Sequence, residues 1–344
     1  MKRLLNTLYI TKPNIYLGLD GENITLLEDT KVFARFPLHN FESIVVFGYQ
    51  GVSPALMRKC ITKDILLSFF NPHSGRFMAR VVGETSGNIV LRKKQYQIAL
   101  SEELSLAVAR NFIIGKIHNS RWVLERLLRD HEMRVKVDLI NKAICQIKQY
   151  MNFVKTSNNL NELRGYEGKA SVTYFGVFNE MILNQKMDFE FIERSRRPPL
   201  DRVNCMLSFA YSLLANETRG ALEGVGLDSY AGFMHQDRSG RPSLALDLME
   251  ELRSILADRF VISLINRGQV KSQNFSIKEN GAVEMHDELR KEFIKLWQEK
   301  KQEKLKHPFL DENIQWGLVA HAQAMLLARF IRGDLDEYPP FLWK

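Results

Sequence analysis

Cysteine is scarce in this chain and long apolar runs are missing. The three cysteines, Cys60, Cys145 and Cys205, are odd in number and far apart, with no CxxC pair to hold zinc or to cycle as a dithiol. A disulfide-stapled scaffold is therefore excluded, and a reducing cytoplasm is the expected location. No stretch reaches the ~18 apolar residues of a membrane span. The N-terminal segment MKRLLNTLYITKPNIYLGLDG opens on a basic pair, but polar residues interrupt it before a signal-peptide core develops. The reading is of a soluble, unexported protein without internal repeats or low-complexity tracts.

What is present is ordinary globular material. The chain has 344 residues, 45% hydrophobic and 26% charged, enough for about two domains and a sizeable core. Lys and Arg number 48 against 40 Asp and Glu, a net charge of +8. Such an excess favours a polyanionic partner, nucleic acid or an acidic membrane surface, though solubility alone also accounts for it.

Two regimes of patterning divide the chain. Up to residue 83 the segments 7–11, 15–19, 24–27, 32–36, 44–47, 65–70 and 76–82 are short and rich in β-branched and aromatic residues. Turn signals such as Asp20-Gly21 and Asn71-Pro72-His73-Ser74-Gly75 separate them, and Ser53-Pro54 reads as the cap and first residue of one short helix. Beyond Gly83-Glu84-Thr85-Ser86-Gly87 the apolar period becomes helical, with helices expected over 137–154, 168–183, 199–222, 243–265 and 313–331. Glu279-Asn280-Gly281 marks a hairpin between 275–277 and 283–285, followed by a charged helix over 287–306 docked by Phe293, Ile294 and Trp297. The predicted class is α+β: an antiparallel, sandwich-like β-domain over 1–84, a linker over 85–95, and a larger all-helical domain over 96–344.

Three segments carry candidate chemistry. In Arg164-Gly165-Tyr166-Glu167-Gly168-Lys169 a carboxylate sits between glycines at what reads as a helix start, where it serves either a ligand or the helix dipole. His235 lies in the Gly- and Ser-rich loop 232–243, ahead of a helix that Ser243 is expected to cap, and reads as a ligand or as a structural loop histidine. On that helix Asp247, Glu250 and Ser254 fall within about 60° of arc, opposite Leu246, Met249, Leu252 and Leu256, so two carboxylates project together from either a site or a solvated face. As a set, two or three carboxylates with one imidazole and no thiolate suit Mg²⁺ or Mn²⁺, with the nitrogen ligand favouring Mn²⁺. A hard cation beside a basic surface suggests phosphoryl transfer. Arg194, Arg196, Arg197 and Arg202 surround Pro198-Pro199, and Arg238 and Arg241 border the histidine loop, as candidate contacts to DNA phosphates.

The order RGYEGKA, RRPPLDRVNCMLSFAYSLL and GLDSYAGFMHQDRSGRPSLALDLMEELR, behind a short β-domain, resembles the CRISPR-associated adaptation endonuclease, the integrase subunit of spacer acquisition. The wording around the histidine and the tail Tyr338-Pro339-Pro340-Phe341 look most like the branch that accompanies type I-C systems. The resemblance implies a metal-dependent DNA endonuclease and integrase. Its ligands fall on Glu167, His235 and Glu250, and Asp247 matches a further acid lining the site, outside the ligand set or as an alternative ligand. It also implies an asymmetric homodimer with the β-domain at dimer and partner contacts, two dimers flanking a small ferredoxin-like adaptation protein in a heterohexamer, and an iron-sulfur adaptation nuclease as a further partner. The substrates implied are double-stranded spacer precursor and repeat DNA. A stand-alone repair nuclease using the same residues, or a non-catalytic DNA-binding scaffold, are the alternatives.

Overall fold

The computed structural model describes residues 7–41, 43–63, 65–72, 77–83 and 89–343. The turn read at 71–75 and the boundary run at 83–87 lie partly outside them. The elements run β1 (Thr7–Ile10), β2 (Tyr16–Asp20), β3 (Asn23–Glu28), β4 (Lys31–Pro37), β5 (Ser43–Phe47), α1 (Pro54–Thr62), β6 (Leu66–Phe70) and β7 (Phe77–Val81). Next come α2 (Ile89–Leu100), α3 (Glu102–His131), α4 (Val137–Lys155), α5 (Leu160–Gly176), α6 (Arg202–Gly224), α7 (Ser243–Leu252) and α8 (Arg259–Asn266). The chain closes with the hairpin β8 (Phe275–Ile277) and β9 (Val283–Met285), α9 (Asp287–Gln302), β10 (Lys304–Lys306), β11 (Asn313–Gln315) and α10 (Trp316–Arg332). The class is α+β, with strands first and helices after.

One compact unit comprises Met1–Gly87, Asp287–Lys304 and Gln315–Leu318. Strands β2, β3 and β4 form an antiparallel sheet, while β1, β5, β6 and β7 form a second. This second sheet departs from the antiparallel expectation, because β1–β5 and β5–β6 pair in parallel. The physical reason is α1: a helix between β5 and β6 is the crossover that parallel neighbours require. Ser53 caps α1 as its sequence implies, its Oγ accepting from Leu56 N at 3.2 Å. The core gathers alternate residues of both sheets, including Ile10, Leu17, Ile24, Ile44, Val46 and Leu67, around Leu56 of the helix. Helix α9 belongs to this unit although some two hundred residues separate it from β7. Its Phe293, Ile294 and Trp297 are buried, as its amphipathic pattern requires, and Arg290 Nη1 donates to the Pro72 carbonyl.

The second unit comprises Asn88–His286, Leu305–Ile314 and Val319–Lys344. From residue 89 the segment read as a linker is helix α2. Helix α3 starts at Ser101, whose Oγ accepts from Leu104 N at 3.3 Å, with Glu102 and Glu103 in the first turn where the dipole favours them. Helix α5 starts at Asn159, which accepts from Glu162 N at 2.9 Å, earlier than the start at 168 that the glycines implied. Helix α7 runs into α8 through a π-helical stretch, Arg253–Asp258. Ser243 is its first residue rather than its cap, the hydroxyl donating instead to Gln236 O at 3.3 Å. The β8–β9 hairpin pairs Phe275 with Met285 and Ile277 with Val283, as the Asn-Gly turn implied. No helix among the described residues is long and apolar enough to cross a membrane.

Candidate active site

Four elements of the helical unit bring charged groups to one place. Glu167 comes from the middle of α5, Glu250 from α7, Lys116 from α3, and His235 from the loop between α6 and α7. Glu167 Oε1 accepts a short hydrogen bond from Lys116 Nζ, and Glu250 Oε2 forms an ion pair with the same nitrogen at 2.8 Å. Arg253 Nη1 lies 2.8 Å from Glu250 Oε1, and His235 Nε2 lies 3.9 Å from that oxygen. The three residues singled out in the sequence therefore converge.

Two readings of these residues change. Glu167 is not in a first turn, so the dipole at a helix N-terminus does not explain it. Gly165 and Gly168 flank it, and a Cβ at either would meet nothing within 4 Å, which leaves the approach open. Nor is the acidic side of α7 solvated: Asp247, Glu250, Glu251 and Ser254 are all buried. Charges withdrawn from water this way persist only when paired, so each of these carboxylates needs its own partners.

Asp247 shows how. Its Oδ2 accepts from the backbone N–H of Phe233 (2.7 Å) and Met234 (3.0 Å), and its Oδ1 accepts from His235 N (3.0 Å) and sits 2.5 Å from His235 Nδ1. Both oxygens are consumed in holding the loop and the ring, which makes Asp247 an orienting group. With Nδ1 as the donor to Asp247, Nε2 carries the lone pair and faces Glu250. Arg164 Nε and Nη2 grip Met234 O at 2.9 and 2.7 Å and fix the same loop. Gly232 permits this close approach: a Cβ there would stand 2.7 Å from Ser243 Cβ and 2.9 Å from Asp247 Oδ2.

Burial alone would raise the Glu250 carboxyl, but the Arg253 guanidinium and Lys116 ammonium outweigh it and hold the group at about 2. Lys116 is likewise raised, with Glu250 and Glu167 overcoming its own burial. Next along α7, Glu251 is pushed up to about 8 by burial, against hydrogen bonds from Phe341 N (2.7 Å), Tyr338 Oη (2.8 Å) and Gln323 Nε2 (3.0 Å). The C-terminal segment is thereby tied to the helix that carries Glu250. Asn119 adds a second tie, donating to both Glu251 O and Phe341 O at 2.7 Å. Gly115, beside Lys116, makes room for this seam, because a Cβ there would lie 2.9 Å from Glu251 Cγ.

The donors suit a hard cation. Two carboxylates converge on one ammonium, which occupies the place between them that a cation would take, and an imidazole nitrogen with a free lone pair stands at the rim. Among the described residues no three acidic, His or Cys groups are placed to hold an ion. The donor types are those a hard cation takes, and the structure pairs both carboxylates with Lys116 instead.

Comparisons with known proteins place the chain in a family. A family profile described as CRISPR associated protein Cas1 matches residues 8–299. The chain belongs to the Cas1 family. A CRISPR-associated endonuclease Cas1 of Chlorobaculum tepidum is 46% identical over 344 residues, covering all of both chains. A Cas4 exonuclease/Cas1 endonuclease fusion of Geobacter sulfurreducens is 33% identical over 97% of this chain and 60% of its own length. Among solved structures, a casposase bound to integration product superposes with a TM-score of 0.82 at 23% identity, over 98% of this chain and 93% of that one. A Cas6-RT-Cas1–Cas2 complex gives 0.81 at 22% identity, over 98% of this chain and 36% of that one.

Within this Cas1 fold the candidate DNA-binding arginines separate. Arg194 is internal: it donates to Asn204 Oδ1 (2.6 Å) and Ser208 Oγ (3.2 Å) and stacks on Tyr211, its guanidinium carbon 5.2 Å from the ring centroid. Arg202 donates to Asp188 O at 2.6 Å. Both are engaged by the fold through these bonds. Arg196, Arg197 and Arg238 are exposed and Arg241 is half-buried. The site residues that sequence reasoning missed are Lys116, Ser171, Arg164, Tyr211, Arg253 and Asp258. Ser171 donates to Glu167 Oε1 at 2.9 Å from one turn on, and Arg253 lies one turn after Glu250, so i,i+3 and i,i+4 spacing held a signal for both.

Asp258 yields a pH prediction. It is buried, accepts from Tyr211 Oη (2.6 Å) and Tyr174 Oη (3.1 Å), and burial raises its carboxyl from 3.8 to about 6. Below about pH 4 both folded and unfolded states are protonated. Between about 4 and 6 only the unfolded state ionises, so this group's contribution to stability declines as pH rises and levels off above 6. The loss amounts to about 3 kcal/mol. Denaturant titrations from pH 4 to 7 are expected to show that decline in the wild type relative to Asp258→Asn; parallel curves would contradict the assignment.

Proposed function

We propose that this chain is the integrase of CRISPR spacer acquisition, a DNA endonuclease that joins a spacer precursor to repeat DNA, with Glu167, His235 and Glu250 as the ligands of Mg²⁺ or Mn²⁺. The observation that carries the proposal is that Glu167 and Glu250 pair with one Lys116 ammonium while His235 Nε2 lies 3.9 Å from Glu250 Oε1, in a chain of this family. A divalent cation bound there supplies charge neutralisation at the phosphate and lowers the pKa of the attacking hydroxyl. Glu167 and Glu250 provide the negative charge, and their pairing with Lys116 aims both at one point before substrate arrives. Asp247 holds His235 with Nε2 outward, and Arg164 fixes the loop behind it.

The reaction is a phosphodiester exchange. A 3′-hydroxyl of the incoming duplex forms a new bond to phosphorus and gives its proton to solvent, while the bond from phosphorus to the repeat strand's 3′-oxygen breaks and that oxygen takes up a proton from solvent. Since one diester replaces another, no further energy source is needed. With water as nucleophile the same site cleaves DNA. The further calls follow from the resemblance: a homodimer, a heterohexamer with the small ferredoxin-like adaptation protein, the β-domain at dimer and partner contacts, an iron-sulfur nuclease partner and the type I-C branch. A Cas1–Cas2 complex that contains a chain of this fold and a Cas4/Cas1 fusion among the relatives support the two protein partners.

A joining assay with a repeat-containing plasmid and a short duplex bearing free 3′ ends tests the reading. Metal-dependent joined product is expected. Cleavage without joining favours the repair nuclease, and neither activity with DNA still bound favours the scaffold.

A further inference from the structure

Beside the ion-pair cluster lies a cleft lined on one side by apolar side chains such as Ile147 and Phe175. Its charged lining is Lys116, Arg196 and Arg253 against a single acid, Asp258, whose oxygens already accept from two tyrosine hydroxyls. Two adjacent donors in that lining have nothing to bond. Ser254 is 3% exposed and its Oγ has no hydrogen-bond partner, and the buried Nε of Arg253 has none either. The backbone explains the serine: a helical serine ordinarily donates to a carbonyl on the preceding turn, and the widened π-helical turn at Arg253–Asp258 leaves this one unmatched. Buried donors without acceptors are rare in folded proteins and call for a partner.

We propose that this cleft is a phosphate subsite, in which one phosphodiester of the DNA strand, next to the one that reacts, accepts from Ser254 Oγ and Arg253 Nε and is closed over by the guanidinium of Arg196. Arg196 is exposed and lines the same cleft, so it is the residue free to swing onto an incoming strand. Charge and chemistry both suit this ligand: an acceptor-rich monoanion meets three cationic side chains against one acid whose oxygens are already engaged, and an arginine fork matches two phosphate oxygens. The inference rests on the proposed action on DNA, and it assigns residues and a ligand group that action alone does not specify.

The test is a binding measurement without catalysis, so its failure is separable from failure of the joining reaction. Duplexes with single methylphosphonates, neutral at one phosphate each, are titrated into the full chain in EDTA and followed by fluorescence anisotropy. One position near the 3′ end is expected to weaken wild-type binding about tenfold, the value of one charged hydrogen bond. Arg196→Ala and Ser254→Ala should each weaken binding of the unmodified duplex and lose sensitivity at that one position while keeping it elsewhere. Thermal melting monitors folding, and Arg196→Ala, altered at an exposed side chain, carries the test should Ser254→Ala unfold. Variants with wild-type affinity, or with the wild-type pattern of sensitivity, would overturn the subsite and show that the cleft holds water only.

Discussion

Glu250→Gln is expected to reduce DNA joining and cleavage by on the order of a hundredfold or more, since the proposed cation site loses one of its two carboxylates. The same change bears on stability. Glu250 balances Arg253 at 2.8 Å and Lys116 at 2.8 Å, and both cations are largely withdrawn from water. Cutting the side chain back to alanine leaves them short of a counter-ion in a cavity, at a cost of about 3–5 kcal/mol. Glutamine keeps the volume and an acceptor for Arg253, so it should cost less. Its effect also has a pH signature. The wild-type carboxyl is depressed from 4.5 to about 2, so its contribution to stability is present above about pH 4.5 and lost as pH falls towards 2. Glu250→Gln should lack that acid-side loss. Unfolding curves from pH 2 to 7 together with a joining assay check both parts; full activity, or alanine as stable as wild type, would contradict them.

The second large effect is expected at Asp247. Asparagine has nearly the same shape but presents an NH₂ where the carboxylate accepts. Four donors point at the two oxygens, so in either amide orientation two of them face another donor. Leaving such buried donors unmet costs about 3 kcal/mol and releases the His235 ring from its tautomer. A residue that orients a ligand in this way commonly accounts for about 10–100-fold in activity or metal affinity. Asp247→Asn should therefore lower both the melting temperature and the joining rate, and the ¹⁵N resonances of His235 should lose the pattern of a single Nδ1–H tautomer. An unchanged imidazole spectrum would show that Asp247 does not hold the ring.

Much of this site was legible before the fold. Glu167, His235 and Glu250 stand out because each lies in a distinctive local sequence, and the β8–β9 hairpin and the α1 cap were readable from turn and cap chemistry alone. Lys116 was not, although it lies between both acids. A lone lysine inside a helix normally reads as a solvated position, and only the packing of α5 and α7 against α3 turns it inward. The start of α5 was misplaced because the glycines around Glu167 read as a helix start, while the competing signal, Asn159 followed three residues later by Glu162, marks the true N-terminus. The parallel pairing of β1, β5 and β6 was hidden for a different reason: alternation reveals which face of a strand is buried but not its direction. Nor does local pattern tell that α9 rejoins the β-unit, since its buried Trp297 and Phe293 demand an apolar neighbour without naming one.

The central claim is that Glu167, His235 and Glu250 take one cation between them in place of the Lys116 ammonium. Anomalous scattering at the manganese edge from crystals soaked in Mn²⁺ measures this directly. The account predicts a single peak within bonding distance of all three side chains, with Lys116 Nζ displaced from its position between the two carboxylates. Manganese elsewhere, or Lys116 still bridging Glu167 and Glu250 at saturating metal, would contradict it.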